Sequence, residues 1–468
     1  MVRRSTRAKI VATIGPACAS APCIEAMVEA GVDTFRLNLS HGSEEDHARA
    51  IGLIRAVEHA VGKPIAIMAD LPGPKIRLDA PPVTALETGG HVSFSTELND
   101  LKTNQSAAIA GVAVGDRVLL DDGAIRLRAV EQCGGTLRCE ILKGGVLRPK
   151  MGVNVPDSDT PLAAVGARDR LLAAWAVAAG ADLLAVSFCR DGDDVRRLRE
   201  ELGGSVQFVA KIERPIAVAN IDDILEASEF MLVARGDLGV EMDIAEVPVI
   251  QKQLLDHAKR HGRPSIVATQ MLQSMIEMHT PTRAEASDVA NAILDGADAV
   301  MLSGETAIGH DPTLAVAMMD RIARTTETYA RTLPLSLSPE PGRWSGSATM
   351  AALARGAYRT AVDVGADVVV VWSKTGDAAR LLSREPFGIP IVALSDDVSA
   401  ARRMQLLRGV EAIHTTAPSD RHALREALPA FLREVLGGVN EVHCVLLSPP
   451  VFTHEGGGDV IDVVEVAL

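Results

Sequence analysis

Aromatic side chains are scarce in this chain, at 3% of 468 residues, while hydrophobic residues as a whole reach 47%. That balance excludes a disordered chain and suits helices and parallel strands packed on Ala, Val and Leu. Basic residues are also short, with 47 Lys and Arg against 61 Asp and Glu and a net charge of −14. A surface so acidic cannot neutralise a phosphodiester backbone wholesale, so no nucleic-acid partner is expected. A few convergent Arg and Lys side chains can still hold a small anion. The six cysteines (Cys18, Cys23, Cys133, Cys139, Cys189 and Cys444) show no zinc-like spacing and are expected to be reduced thiols without a metal role. No apolar run approaches the ~20 residues that span a bilayer, so no membrane partner is expected. Arg3-Arg4 fails as a twin-arginine signal, because AKIVATIG follows directly and no cleavage site is present. A cytoplasmic location is the expectation.

What the chain does have is a rhythm of apolar runs. AKIVATIG (8–15), DTFRLNLS (33–40), KPIAIMAD (63–70), ADLLAVSF (181–188), QFVAKIE, FMLVARGD, SIVATQ and AVMLSGE make eight runs. Amphipathic stretches such as Ala21–Ala30, Ser43–Val61 and Pro248–His261 lie between them. Eight strand–helix units predict an α/β fold, a (β/α)8 TIM barrel over 1–72 and 157–335, with catalytic groups at the C-terminal strand ends. Between the third and fourth runs the rhythm breaks. Residues 73–156 hold short strand-like pieces (GGHVSFST, DRVLLDDG, AIRLRAV, TLRCEILKGG) and are expected to form a small inserted β-barrel placed to act as a lid. After the Pro/Ser/Gly-rich LPLSLSPEPGRWSG, alternation resumes with DVVVVW, GIPIVALS, VEAIHT, EVHCVLLS and DVIDVVEV. That predicts a separate C-terminal α/β domain over 344–468.

The strand ends carry the chemistry. Lys211, Glu213, Asp237, Thr269, Ser303 and Glu305 would gather on one rim of the barrel. Glu213 and Asp237 offer hard oxygen ligands that suit Mg²⁺ or Mn²⁺, with water and substrate completing the shell. Lys211 lies two residues before Glu213 and shares its face, where an ammonium can stabilise a phosphoryl group in transfer or an enolate. Arg36, Asn38 and Ser40 alternate at the end of the second run, with His41-Gly42 behind them. Arg suits bidentate phosphate binding, and the Asn and Ser oxygens suit a monovalent cation or a nucleotide phosphate. Arg235-Gly236-Asp237 is rejected as an adhesion tripeptide, since it follows a buried strand. TPTRAEASDVANAILDGADAV is assigned no chemistry: Thr282 and Glu285 make a capping box, and the small residues suit tight packing. SKTGDAARLL is a turn and helix start able to hold an anion.

In order and spacing, KIVATIGPA, RLNLSHG, GPKIR, LLDDG, GVNVP, AKIE, VARGDLG, ATQML, PTRAEASDVANA and MLSGET make the chain resemble the pyruvate kinases. The likeness runs from Ala8 through the barrel and is weaker beyond it. It implies a mobile lid, an allosteric C-terminal domain and a homotetramer. The implied reaction closes glycolysis, passing the phosphoryl group of phosphoenolpyruvate to ADP to give pyruvate and ATP. By the same resemblance Glu213 and Asp237 would ligate Mg²⁺, Lys211 would stabilise the phosphoryl group, and Arg36 would hold that phosphate. Gly236 and Asp237 amides would receive the substrate carboxylate. Thr269 would lie near the methylene carbon, Ser303 and Glu305 would form a proton relay, and Asn38, His41 and Arg77 would sit on the nucleotide side.

Three departures from the family pattern stand out. Many relatives have a threonine, a basic residue and a glutamate where this chain has Leu71, Pro72 and Lys75, and that acid accompanies a bound potassium ion. Here the Lys75 ammonium can supply the charge in a site lined by Asn38, Ser40 and Asp70, so K⁺ is not expected to be required. Met151 stands where a nucleotide-binding lysine is common. Lys150 is adjacent, but a one-residue shift in an extended segment would turn its side chain away. The loop PPVFTHEGGGD lacks the Trp and Arg pattern that grips fructose bisphosphate in some relatives, and Asp377 places a negative charge in the SKTGDAA turn. Little activation by that sugar bisphosphate is expected. Two rival readings are a metal-dependent lyase or aldolase of pyruvate enolates and a catalytically silent binding protein. The insert and RLNLSHG argue against the first. The joint presence of Lys211, Glu213, Asp237, Thr269 and Arg36 argues against the second.

Overall fold

The computed structural model describes residues 6–81, 84–95, 100–158, 162–204, 206–333, 348–386, 388–437, 440–448 and 460–468. Arg3-Arg4, the Pro/Ser/Gly-rich stretch beyond Leu333 and the PPVFTHEGGGD loop lie outside the described residues.

Eight parallel strands close into a barrel: Lys9–Thr13, Thr34–Asn38, Ala66–Asp70, Leu183–Val186, Gln207–Ile212, Phe230–Ala234, Ser265–Ala268 and Ala299–Leu302. Each strand pairs with the next in sequence, and the first closes on the last. The strands are apolar on both faces because helices cover the outside while side chains fill the inside. Val11, Met68, Leu232, Ile266 and Met301 are among the inward residues of that filling. In every run but the third, which ends with its strand at Asp70, the last residues leave the sheet to build the rim.

The helices begin where local chemistry allows. Ser43 caps the helix Glu44–Val61 in a capping box with Asp46, and Thr282 with Glu285 does the same for Arg283–Leu294. Each box satisfies amide donors that a helix start leaves without partners. The helices Ala21–Ala30 and Val247–Arg260 each carry a proline in the first turn, where its missing N–H costs nothing.

The insert is built on a six-stranded antiparallel sheet between Ile76 and Asn154. It has its own core around Phe94, Leu127, Leu137, Met151 and Val153. Asn154 Nδ2 donates to Glu241 Oε1 on the barrel at 2.8 Å, and Arg117 grips Asp157 with donors at 2.7 and 2.9 Å. The C-terminal unit is a five-stranded sheet. Four strands are parallel, and the edge strand Val460–Ala467 runs antiparallel to Glu441–Ser448. It docks on the end of the barrel where the strands begin. There Arg384 pairs with Asp298 and Arg402 pairs with Glu58. Among the described residues, no helix is long and apolar enough to cross a membrane.

Candidate active site

At the opposite end of the barrel the strand ends enclose a cleft lined by Arg36, Asn38, Ser40, Asp70, Lys75, Ser187, Lys211, Asp237, Thr269 and Ser303. Its centre is a charge cluster built at the ends of the second to fifth strands. Asp70, at the end of the third strand, receives Arg36 Nε at 2.7 Å and lies 3.1 Å from Lys211 Nζ. Lys211 Nζ also reaches Glu213 Oε1 at 2.8 Å and donates to Ser187 Oγ at 2.7 Å. Glu213 Oε2 accepts the Phe188 amide at 2.7 Å. Arg36 donates from Nη1 to Thr13 Oγ1 at 3.1 Å.

Burial alone would lower the Lys211 pKa, but the carboxylates of Asp70 and Glu213 outweigh it and raise it, so the ammonium persists at working pH. Burial opposes ionisation of Asp70 as well, yet Lys211 and Arg36 hold its pKa below the usual carboxylate range. Glu213 differs. Burial pushes its pKa up despite Lys211, and Asp237 pushes the same way. Two cations, Arg36 and Lys211, thus face three carboxylates, Asp70, Glu213 and Asp237. Lys75, also on the cleft lining, is a third cation.

Glu213 and Asp237 fit a divalent metal by donor type and by their mutual repulsion, which such an ion would relieve. Among the described residues no group of three or more His, Cys, Asp or Glu side chains is arranged to hold a metal. Two carboxylates with open positions match the way Mg²⁺ keeps water and substrate oxygens in its shell.

The sixth and seventh strands supply the other wall. Thr269 Oγ1 accepts the Gly236 N–H at 2.8 Å and donates to the Ala268 carbonyl at 2.6 Å. Glu305, buried, accepts the amides of Leu272 at 3.0 Å and Ser303 at 2.7 Å, so it fixes the turn from which Ser303 faces the cleft. Asn38 faces the cleft too. His41 and Arg77 do not line it: His41 is exposed, and Arg77 donates to the Lys150 carbonyl at 2.9 Å.

The sequence matches the family model described as "Pyruvate kinase, barrel domain" over residues 5–316 and that described as "Pyruvate kinase, alpha/beta domain" over residues 351–454. A protein named pyruvate kinase from Agrobacterium vitis is 38% identical, the match covering 100% of this chain and 98% of the relative. One of the same name from Corynebacterium efficiens is 39% identical over 86% of each chain. Another, from Geobacillus stearothermophilus, is 39% identical over 95% of this chain and 78% of its own. The chain belongs to the pyruvate kinase family. It is accordingly a phosphotransferase, acting on phosphoenolpyruvate and ADP to give pyruvate and ATP, and the pyruvate kinase family implies a divalent metal.

Several details of this family member depart from what its sequence led one to expect. Lys150 is not in an extended segment. It sits at φ 65°, in a turn just before the strand Gly152–Asn154, with its side chain exposed. The alternation argument therefore does not apply to it, and Met151 instead buries its side chain in the insert's core. The helix Arg283–Leu294, assigned no chemistry, reaches the site through Asp288, whose Oδ1 holds Arg235 Nη1 at 2.6 Å. Ser187 was overlooked as a site residue. The signal was present, because it is the one polar residue near the end of the apolar run ADLLAVSF, next to its final Phe188. In the C-terminal unit, Asp377 occupies its own turn, bonded to Thr375 Oγ1 at 2.9 Å and to Arg380 at 3.3 Å.

Proposed function

We propose that Lys211 is the centre of phosphoryl transfer in this chain, with Arg36 as its partner on the phosphate. The observation that carries this reading is the position of the Lys211 ammonium. It is held by Asp70, Glu213 and Ser187 at once and kept charged at the floor of the cleft. Charge moves from the enol oxygen of phosphoenolpyruvate to the transferring phosphoryl group, and fixed cations stabilise such charge without reorganisation. The P–O bond to the enol oxygen breaks as a bond to the terminal phosphate of ADP forms. The enolate left behind takes a proton at its methylene carbon and becomes pyruvate.

Glu213 and Asp237 are the residues that would hold Mg²⁺ or Mn²⁺, which would supply Lewis-acid polarisation of the substrate's oxygens. The Gly236 and Asp237 amides lie on the substrate carboxylate's side of the site. Thr269 faces the methylene carbon. Ser303 would carry the proton relay, with Glu305 acting through the Ser303 amide. Asn38, His41 and Arg77 would contact the nucleotide as the insert, residues 73–156, closes as a lid on the barrel of 1–72 and 157–335. The C-terminal domain, 344–468, is proposed as a site of allosteric control, and the assembly as a cytoplasmic homotetramer.

Monovalent-ion use follows from the cleft lining. Lys75 borders the cleft beside Asn38, Ser40, Asp70, Leu71 and Pro72. A lysine there provides in covalent form the positive charge that an added ion would bring. Steady-state kinetics with phosphoenolpyruvate and ADP, with and without K⁺, test both readings. ATP formation that needs Mg²⁺ and ignores K⁺ supports them. Absence of ATP formation overturns the first, and a severalfold rise on adding K⁺ overturns the second.

A further inference from the structure

The turn between the seventh strand and the residues behind it is costly to hold. Thr269 (φ 70°) and Gln270 (φ 54°) are consecutive residues in the left-handed region. A β-branched side chain is a rare occupant of that region. Such conformations persist where surrounding contacts over-determine them.

Here one guanidinium supplies several of those contacts. Arg235 donates from Nη2 to the Thr269 carbonyl at 2.8 Å and from Nε to the Ala268 carbonyl at 3.4 Å, so it grips the backbone on both sides of the Thr269 Cα. A further contact joins Nη2 to Met271 Sδ at 2.8 Å. From the far side Nη1 is held by Asp288 Oδ1 at 2.6 Å and Gln251 Oε1 at 3.4 Å. The Arg235 side chain is only 10% exposed, and it does not border the cleft. All three of its nitrogens are engaged by protein groups. It also precedes Gly236, whose amide fixes Thr269 Oγ1 at 2.8 Å.

We infer that Arg235, oriented by Asp288, is a positioning residue for the proton-transfer half of the reaction. It holds Thr269 in its left-handed conformation and thereby aims Oγ1 at the carbon that gains the proton. This rests on the reading above that Thr269 faces the methylene carbon. The role suits arginine rather than lysine, because only a planar fork reaches two carbonyls and a carboxylate together. Lys211 and Arg36 lie on the opposite wall and make no contact with Arg235. Loosening the turn should thus impair proton delivery more than phosphoryl transfer.

The test compares two rates in the full chain with Mg²⁺ bound: ATP formation from phosphoenolpyruvate and ADP, and exchange of pyruvate methyl protons with D₂O in the presence of ATP, followed by NMR. In Arg235→Lys and Arg235→Met the exchange rate should fall about 10–100-fold, as for a misplacement of about an ångström. ATP formation should fall much less, with the KM for phosphoenolpyruvate little changed. Asp288→Asn should shift the same ratio in the same direction by a smaller factor. A proportional loss of both rates, or no loss of either, overturns the inference, because a purely structural residue would not move their ratio. Thr269→Ala separates the two readings. If it leaves the ratio unchanged, the placement of Thr269 fails. If it lowers the ratio while the Arg235 variants do not, the positioning role fails. Should Arg235→Met not fold, the lysine and Asp288→Asn variants decide the matter alone.

Discussion

Both ends of the barrel bury charged side chains, and they use them differently. At the end where the strands begin, the charges of the barrel are matched by the C-terminal domain. Arg384 Nη1 donates to Asp298 Oδ2 at 2.9 Å, and Lys9 lies 3.5 Å from Asp33 and 3.6 Å from Glu411. Arg408 donates to the Ala297 carbonyl at 2.9 Å and sits 3.4 Å from Glu327. A cavity opens there too, but Lys63 and Glu411 on its wall already form ion pairs. At the other end Asp70, Glu213, Asp237, Arg36 and Lys211 converge on a cleft, and burial leaves Glu213 with a raised pKa. Matched charge at one end joins domains; charge turned toward open space at the other end is left free to meet a ligand.

The strongest way to break that contrast is to remove a charge from each end. Lys211→Met should lower turnover by at least about a thousandfold, some 4 kcal/mol of transition-state stabilisation. Phosphoenolpyruvate binding, followed by calorimetry, should largely survive. Unchanged turnover would remove Lys211 from the mechanism. Arg384→Met leaves Asp298 buried without its ion pair, which should cost about 3 kcal/mol of stability. Its kcat at low temperature should stay near that of the parent chain. A variant that melts normally but loses activity would mean that the barrel's lower end is part of the catalytic machinery.

How much of this was visible in the sequence depends on how far apart partners lie along the chain. The eight apolar runs show the barrel because each strand's burial is written in its own few residues. Lys211, Asp237 and Thr269 could be placed on the cleft from sequence because the strand-end rule needs no knowledge of neighbours. Asp70 was legible only as part of a possible cation site, yet it is the hub between Arg36 and Lys211, which lie in other strands. Arg235 was set aside with a tripeptide, and Asp288 was read as helix packing. Their pairing spans 53 residues and joins a strand end to a helix, which no local pattern encodes. Lys150 reads as extended from sequence because the partners of its left-handed turn are distant along the chain: its amide donates to the Leu78 carbonyl at 2.8 Å and its carbonyl accepts from Arg77 at 2.9 Å.

A finer probe of the catalytic end concerns Lys75. Lys75→Glu places a carboxylate beside Asp70 and adds negative charge to the cleft. The variant should lose activity in K⁺-free buffer and regain it severalfold as K⁺ is added, while the parent chain should respond little. A parent chain stimulated as strongly as the variant would show that the lysine does not stand in for the ion.

The smallest expected effect tests the matched charge of the other end. Burial opposes ionisation of Glu58, but the Arg402 hydrogen bonds, the Ile65 amide and Arg55 hold its pKa below the ordinary value. Arg402 Nη2 reaches Glu58 at 2.6 Å across the domain boundary. A carboxylate with a lowered folded pKa contributes stability that is present above about pH 4.3, the usual glutamate value, and lost as pH falls through the folded value. Asp182, 3.9 Å from Arg402, has its pKa raised by burial, and Arg402 pulls against that rise, so this contact acts in the same sense as the one to Glu58. Arg402→Leu should therefore lower the melting temperature modestly near neutral pH, by the equivalent of less than about 1 kcal/mol for a pair that keeps some solvent contact. The gap between variant and parent should close on acidification. A gap that stays constant to pH values well below the carboxylate range would assign the Arg402 contribution to packing of its aliphatic stem rather than to its charge.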